Sequence, residues 1–214
     1  MTHIVVLGGT GYAGSAIVAE AAGRGHTVTS FSRSLPAEPV PGVTYVQGDA
    51  TDREALASVI SGAEVVVAAL APRGELAGPF REVYRTVARL VDAAGARLYV
   101  VGGFSSLRPA AGAPRFMEDL SHAPAEFHDE IRAGAALVIE DLPATPETLD
   151  WVFVSPAGGF GSYAPGERRG EYRLGDEIAI QPDGGTISGA DYAIGFVDLI
   201  EKGDRHRAHV NLAY

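Results

Sequence analysis

Apolar residues along this chain fall into short dense runs, separated by segments in which they recur every three or four positions. "HIVVL" (3–7) is the first run, and an amphipathic segment from Ala13 to Ala22 follows it. "HTVTSFS" (26–32) and "VTYVQ" (43–47) carry the β-branched residues that suit a strand. "TDREALASVI" (51–60) opens with Thr51 and has Glu54 three residues later, the pattern of a capping box at a helix start. "AEVVVAAL" (63–70) is almost wholly apolar, as a strand covered on both faces must be. In "FREVYRTVARLVDAA" (80–94), Val83, Val87, Leu90 and Val91 fall on one helical face. "RLYVVGG" (97–103) predicts a fifth strand, residues 124–140 a helix, and "DWVFVSP" (150–156) a sixth strand.

Regular alternation of strand and helix predicts a parallel sheet covered on both sides. Right-handed crossovers then favour a doubly wound α/β fold. The pattern predicts one domain over residues 1–214. After Pro156 the chain turns rich in Gly, Pro and charge, with short strand candidates at Glu171–Leu174 and Glu177–Ile180. Residues 157–188 are expected to form a loop and small hairpin over the sheet's C-terminal edge. A late helix is expected over 188–202, with Ser188 as its N-cap and Asp191 at its third position, and "AHVNL" (208–212) as a last strand.

The seam between the first strand and the first helix carries Gly8, Gly11 and Gly14, a Gly-x-x-Gly-x-x-Gly spacing. In that context the first glycine permits a sharp turn, the second lets backbone approach a pyrophosphate, and the third lets helix pack on strand. Free N–H groups at the helix start would face the phosphates. The bland alternative is a glycine-rich turn with no ligand. Gly8, Thr10, Gly11, Tyr12, Ala13 and Gly14 are therefore the candidate dinucleotide cradle. The second strand ends "FSRS" with no acid to select NAD; Arg33, nineteen residues after Gly14, suits the 2′-phosphate of NADP, or is simply a solvated charge. NADP(H) is thus expected over NAD(H). Asp49 and Ala50 follow the third strand and would lie by the adenine, with Asp49 equally suited to a turn. Leu70, Ala71 and Pro72 follow the fourth strand and would let the cofactor pass. Gly102 and Gly103, with Ser105 and Ser106 as candidate catalytic or positioning groups, follow the fifth; Ser155 and Pro156 end the sixth.

Composition narrows the partners. With a formal charge of −10, the chain does not have the basic surface that nucleic acid or an anionic membrane demands. It has no cysteine, so thiolate metal sites are excluded, and its six histidines are scattered. His206 and His209, three apart among charges, are expected on the exposed surface, and no metal site is expected. "MTHIVVLGG" has no basic n-region and no apolar run long enough to cross a membrane, so a cytoplasmic location is the expectation. Monomer and homodimer both stand.

The segments "IVVLGGTGYAGSAIVAEAAGRGHTVTSFSR", "GDATD", "VVGGFSSL", "DWVFVSPAGGF", "PGERRGEYRLGDE" and "ISGADYAIGFVDLIEK" resemble the atypical short-chain dehydrogenase/reductase superfamily, in particular its NAD(P)H-binding, NmrA-like group. That group includes candidate NADH-flavin reductases, with biliverdin reductase B more distantly similar. The resemblance implies a Rossmann fold, a nicotinamide cofactor and a small-molecule acceptor such as FMN, another flavin or a quinone. Typical members carry Tyr-x-x-x-Lys after the fifth strand. Here the single lysine is Lys202, and no tyrosine has a lysine four residues later. One reading is a reductase whose acceptor does not need that pair, with Ser105, Ser106 or Tyr163 as polar or stacking groups; each of these also suits a turn or packing role. The alternative is a non-catalytic NAD(P)-binding redox sensor of the NmrA type. An epimerase of nucleotide-linked sugars would need the same pair and a larger C-terminal region.

Overall fold

A computed structural model describes residues 1–214. The chain runs β1 (His3–Leu7), α1 (Tyr12–Gly23), β2 (Thr27–Ser32), β3 (Thr44–Gln47), α2 (Arg53–Ile60), β4 (Val65–Ala68), α3 (Phe80–Ala94) and β5 (Arg97–Val101). After three short 3-10 turns come α4 (His128–Ala136), β6 (Trp151–Pro156), β7 (Arg173–Gly175), α5 (Gly189–Lys202) and β8 (Ala208–Ala213). One eight-stranded sheet results, in the order β3-β2-β1-β4-β5-β6-β8-β7, parallel except for the edge strand β7. This is the doubly wound Rossmann arrangement. The order reverses at β1 and β4, and the crevice outside their C-terminal ends is where ligands bind in such sheets.

Alternation along each strand explains the layers. Val5 and Leu7 face a core built from α2, α3 and the turn after α4; Ile4 and Val6 face a second core under α1 and α5. A strand buried on both faces must be apolar at every position, and β4, "VVVA", is. On α3 the apolar face of Val83, Val87 and Val91 is buried. Tyr84 on that face donates its hydroxyl to the Leu70 carbonyl at 3.1 Å, fastening the helix to the loop that leaves β4.

Three local expectations change. The N-cap of α2 is Asp52, whose Oδ1 accepts from the Glu54 and Ala55 N–H groups; Thr51 instead bonds Asp49. The helix expected over 124–140 is a 3-10 turn (Ala125–Phe127), then α4, then a π turn (Leu137–Asp141). The wider turn places Asp141 against Arg81 and Arg85, at 2.7 and 2.9 Å. β7 pairs antiparallel with β8, not with residues 177–180, which form only a single bridge from Ile178 to Arg108. Main-chain pairing with the sheet edge replaces the expected hairpin. Ser188 does cap α5, accepting from the Asp191 N–H. No helix is long and apolar enough to cross a membrane.

Candidate functional site

β1 delivers Gly8 to the crevice with φ +83, and a Cβ there would lie 2.5 Å from the Ala69 carbonyl oxygen. Both facts demand glycine. Gly14, one turn into α1, sits so close that a Cβ would fall 2.2 Å from the Gly8 oxygen. Gly11 caps α1 with no side chain, and no acid stands in the first turn. The N–H groups of Tyr12, Ala13 and Gly14 find no acceptor within the protein, while Ser15 N–H begins the helical pattern at Gly11. An uncapped positive helix end with three free amides fits a pyrophosphate. The Gly11 face toward the crevice is open, its only near neighbour being the Gly8 oxygen at 3.3 Å from a built Cβ.

From this turn a cavity of about 310 Å3 runs over β2 and β3. Arg33, Ser34, Asp49, Ala50 and Glu75 share its wall with Gly8, Thr10 and Gly11. Arg33 is largely exposed, and its guanidinium lies 3.6 Å from the Glu75 carboxylate. Asp49 accepts from the Thr51 N–H and hydroxyl, both at 2.8 Å through Oδ1. Those bonds, and the nearby Arg33 charge, hold its carboxyl below the ordinary range, so it is an anion at neutral pH with Oδ2 unengaged. Ser32 is spoken for: its hydroxyl donates to the Phe31 carbonyl and accepts from the Thr10 N–H.

A second chamber of about 430 Å3 continues past the β4 loop, sharing Gly11, Leu70, Ala71 and Arg73 with the first. Tyr12, Ala13, Pro72, Gly102, Gly103 and Pro156 line it, as do Ser105 and Ser106. Its apolar walls come from Phe80, Phe104, Phe153 and Phe160. Phe160 is fixed between Tyr12 and Tyr192, with ring centroids 5.1 and 4.6 Å away. The acid in the chamber, Glu130 of α4, is gripped in bidentate fashion by Arg73 at 2.7–3.0 Å.

Three candidates line neither cavity wall. Gly14 packs against the Gly8 backbone and offers the site only its N–H, Ser155 is fully buried beneath the chamber, and Tyr163 is 76% exposed, its hydroxyl donating to the Gly158 carbonyl. Sequence reasoning missed Arg73, Glu75 and Glu130. The first two lie in "APRGE" directly after the β4 loop; Glu130 reaches the chamber only through the placement of α4. It also misjudged His209. His206 is exposed, but the His209 ring stands edge-on to Phe153 at 5.2 Å and bonds Ser155 at 2.9 Å. β8 is an interior strand, so a residue on either of its faces is covered. Burial, together with the charges of Arg115 and Arg108, pushes His209 down to a pKa of about 3.

Fold and cleft together define a Rossmann-type nicotinamide-dinucleotide-binding protein of the atypical short-chain dehydrogenase/reductase kind. Residues 8–202 match the NAD(P)H-binding family, and the chain belongs to it. It is 31% identical to the uncharacterized protein YwnB of Bacillus subtilis over 211 residues, 97% of this chain and 94% of that one. A candidate epimerase from Bacteroides thetaiotaomicron superposes with a TM-score of 0.86 at 30% identity, over 100% of this chain and 97% of its own. A candidate NADH-flavin reductase from Streptococcus pneumoniae does so with 0.82 at 30% identity, over 100% and 99%.

Proposed function

We propose that the protein is an NADPH-dependent reductase that passes hydride to a planar flavin or quinone-like acceptor. The observation that carries this reading is the continuity of the cleft. A phosphate cradle of free amides joins a chamber whose walls are aromatic and whose acid is already neutralised by an arginine. When bound, the nicotinamide supplies the hydride; the protein's part is binding, orientation and exclusion of water. The amides of Tyr12, Ala13 and Gly14 hold the pyrophosphate, and Arg33 holds the 2′-phosphate. Leu70, Ala71 and Pro72 guide the ribose past β4. Phe104, Phe153 and Phe160 offer apolar faces to a flat acceptor. The absence of a Tyr–Lys pair favours an acceptor that takes its proton from water, and disfavours the epimerase chemistry suggested for the Bacteroides thetaiotaomicron protein. The same absence favours the second reading, a non-catalytic sensor of nicotinamide redox state.

Spectroscopic assay of NADPH oxidation against FMN, riboflavin and small quinones separates the two. The reductase gives oxidation that saturates with acceptor and disappears in Gly11→Asp, whose carboxylate repels the pyrophosphate. Tight NADPH binding without oxidation of any acceptor leaves the sensor.

A further inference from the structure

Helix α4 serves two cavities. Glu130, Ile131, Gly134 and Ala135 line the chamber, whereas Arg132, Ala133 and Ala136 line a separate cavity of about 480 Å3 that shares no residue with it. Arg81 reaches this cavity from the start of α3, and Arg108, Arg115 and Met117 reach it from the segment after β5. Four guanidiniums thus meet two wall carboxylates, Glu118 and Glu140, in a chain whose acids outnumber its bases 27 to 17.

These guanidiniums are held in place but not fully used. Arg115 donates through Nη1 to the Ser106 carbonyl and through Nη2 to Glu177, each at 2.5 Å, and its Nε makes no hydrogen bond. Arg108 donates through Nη1 to the Ala113 carbonyl at 2.5 Å; its Nε lies 3.6 Å from Glu177, and its Nη2 is unengaged. Arg81 spends Nε and Nη2 on Asp141 and Glu140, which leaves Nη1. Arg132, with a side chain 56% exposed, has only the fully exposed Asp129 carboxylate, 3.6 Å away. A fork already fixed by main-chain carbonyls and carboxylates keeps its remaining N–H groups in position, so a ligand need not immobilise it.

The neighbouring charges set the charge of that ligand. Asp141, Glu177 and Asp129 pair with the four arginines, and Arg85 shares Asp141, so the surroundings do not carry the positive excess that would favour a phosphate dianion. A carboxylate brings one charge and matches two N–H groups of a guanidinium. Glu140 shows that fit on this wall: its own carboxylate, on a side chain 60% exposed, takes Arg81 Nη2 at 2.5 Å. Glu118 is committed elsewhere, its Oε1 accepting from the Arg115 N–H. Beside the guanidiniums, Met117, Ala133, Ala136 and Ile139 supply apolar wall, with Ile139 39% exposed.

We propose that this cavity is a second binding site, for a small organic acid: one carboxylate on an aromatic or aliphatic body. The unengaged guanidinium N–H groups take the carboxylate, which competes with Glu140 for Arg81, and Met117 and Ile139 cover the body. The site is independent of the cofactor cleft and of whether the protein oxidises NADPH.

Methyl NMR of the whole protein tests this, because the chain has only two methionines: Met1, 97% exposed at the terminus, and Met117 on the cavity wall. In protein carrying 13C-labelled methionine methyls, 1-naphthoate should shift the Met117 signal saturably and leave Met1 unmoved, equally with and without saturating NADP+. Inorganic phosphate at the same concentration should leave both signals in place. Arg132→Ala removes a guanidinium that makes no hydrogen bond, so the fold should survive it, and naphthoate affinity should fall about three- to tenfold. Arg108→Gln should weaken it by a similar factor, and Glu140→Gln should tighten it about two- to fivefold, since a neutral amide holds Arg81 less firmly. Should Arg108→Gln fail to fold, Arg132→Ala carries the test. The proposal is overturned if naphthoate moves neither signal or both alike, or if phosphate alone reproduces the shift. It is overturned as well if NADP+ abolishes the shift, which would place the acid in the cofactor cleft, or if the folded arginine variants bind naphthoate as the parent protein does.

Discussion

Arg33 and Glu75 meet 3.6 Å apart on the wall of the cavity of about 310 Å3, one from the loop after β2 and the other from the turn after β4. Both are exposed, so their mutual attraction is worth little by itself. Its importance is positional: a carboxylate stands where the proposed 2′-phosphate must reach its only arginine partner on β2's loop. Glu75→Gln should therefore tighten NADPH binding about two- to fivefold and leave NADH unchanged. Arg33→Ala should weaken NADPH binding by roughly 1.5–3 kcal/mol, as loss of a charge-assisted contact does, and spare NADH. Fluorescence titration with both cofactors checks this pair; equal effects on NADPH and NADH would remove Arg33 from the phosphate.

Two glycines in the same helix should behave in opposite ways. A Cβ on Gly14 meets backbone, the Gly8 oxygen at 2.2 Å, which cannot swing aside. Gly14→Ala should cost about 1–3 kcal/mol and degrade cofactor binding with it, because the cradle must shift. Gly23, nine residues on at the end of the same helix, is open, with nothing within 4 Å of a Cβ. Gly23→Ala should stabilise by about 0.4–1 kcal/mol through the unfolded chain. Urea denaturation of both variants, with NADPH titration alongside, tests the contrast.

Asp191 predicts how stability follows pH. It is buried at the start of α5, and burial alone would raise its carboxyl. Hydrogen bonds from the Tyr214 hydroxyl, the Arg169 and Gly170 N–H groups and the Ser188 hydroxyl outweigh that and hold it below the ordinary range. A carboxyl depressed on folding stabilises fully above its unfolded value, about 3.9, and loses that stabilisation as pH falls through the folded value. Stability should thus drop below about pH 4. Asp191→Asn should be destabilised by about 1.5–3 kcal/mol at pH 7 and show a flatter acid limb. Denaturation midpoints across pH 3–7 measure both.

The alternation of apolar runs made most of the sheet legible, because a strand covered on both faces has no polar positions to confuse it. The glycine cradle was legible for a related reason: Gly8 and Gly14 are forced by backbone contacts that recur in every such seam. The β7 pairing was not, since a three-residue edge strand takes its partner from the sheet beside it rather than from its own pattern. His209 was hidden by its charged neighbours. What surrounds it, the Phe153 ring and Arg115, is distant in sequence and brought to β8 only by the fold. Glu130 was hidden likewise, because the chamber wall it joins exists only once α4 lies across the end of β5.

Hydride transfer from a nicotinamide held in the cleft is the central claim, and single-turnover oxidation of stereospecifically C4-deuterated NADPH tests it most directly. With naphthoquinone or FMN as acceptor, one of the two labelled forms should react several-fold more slowly than unlabelled NADPH and the other should not, because a nicotinamide held in one orientation turns a single face to the acceptor. NADPH that binds tightly and is oxidised by no acceptor, or that reacts at the same rate in both labelled forms, would contradict the account.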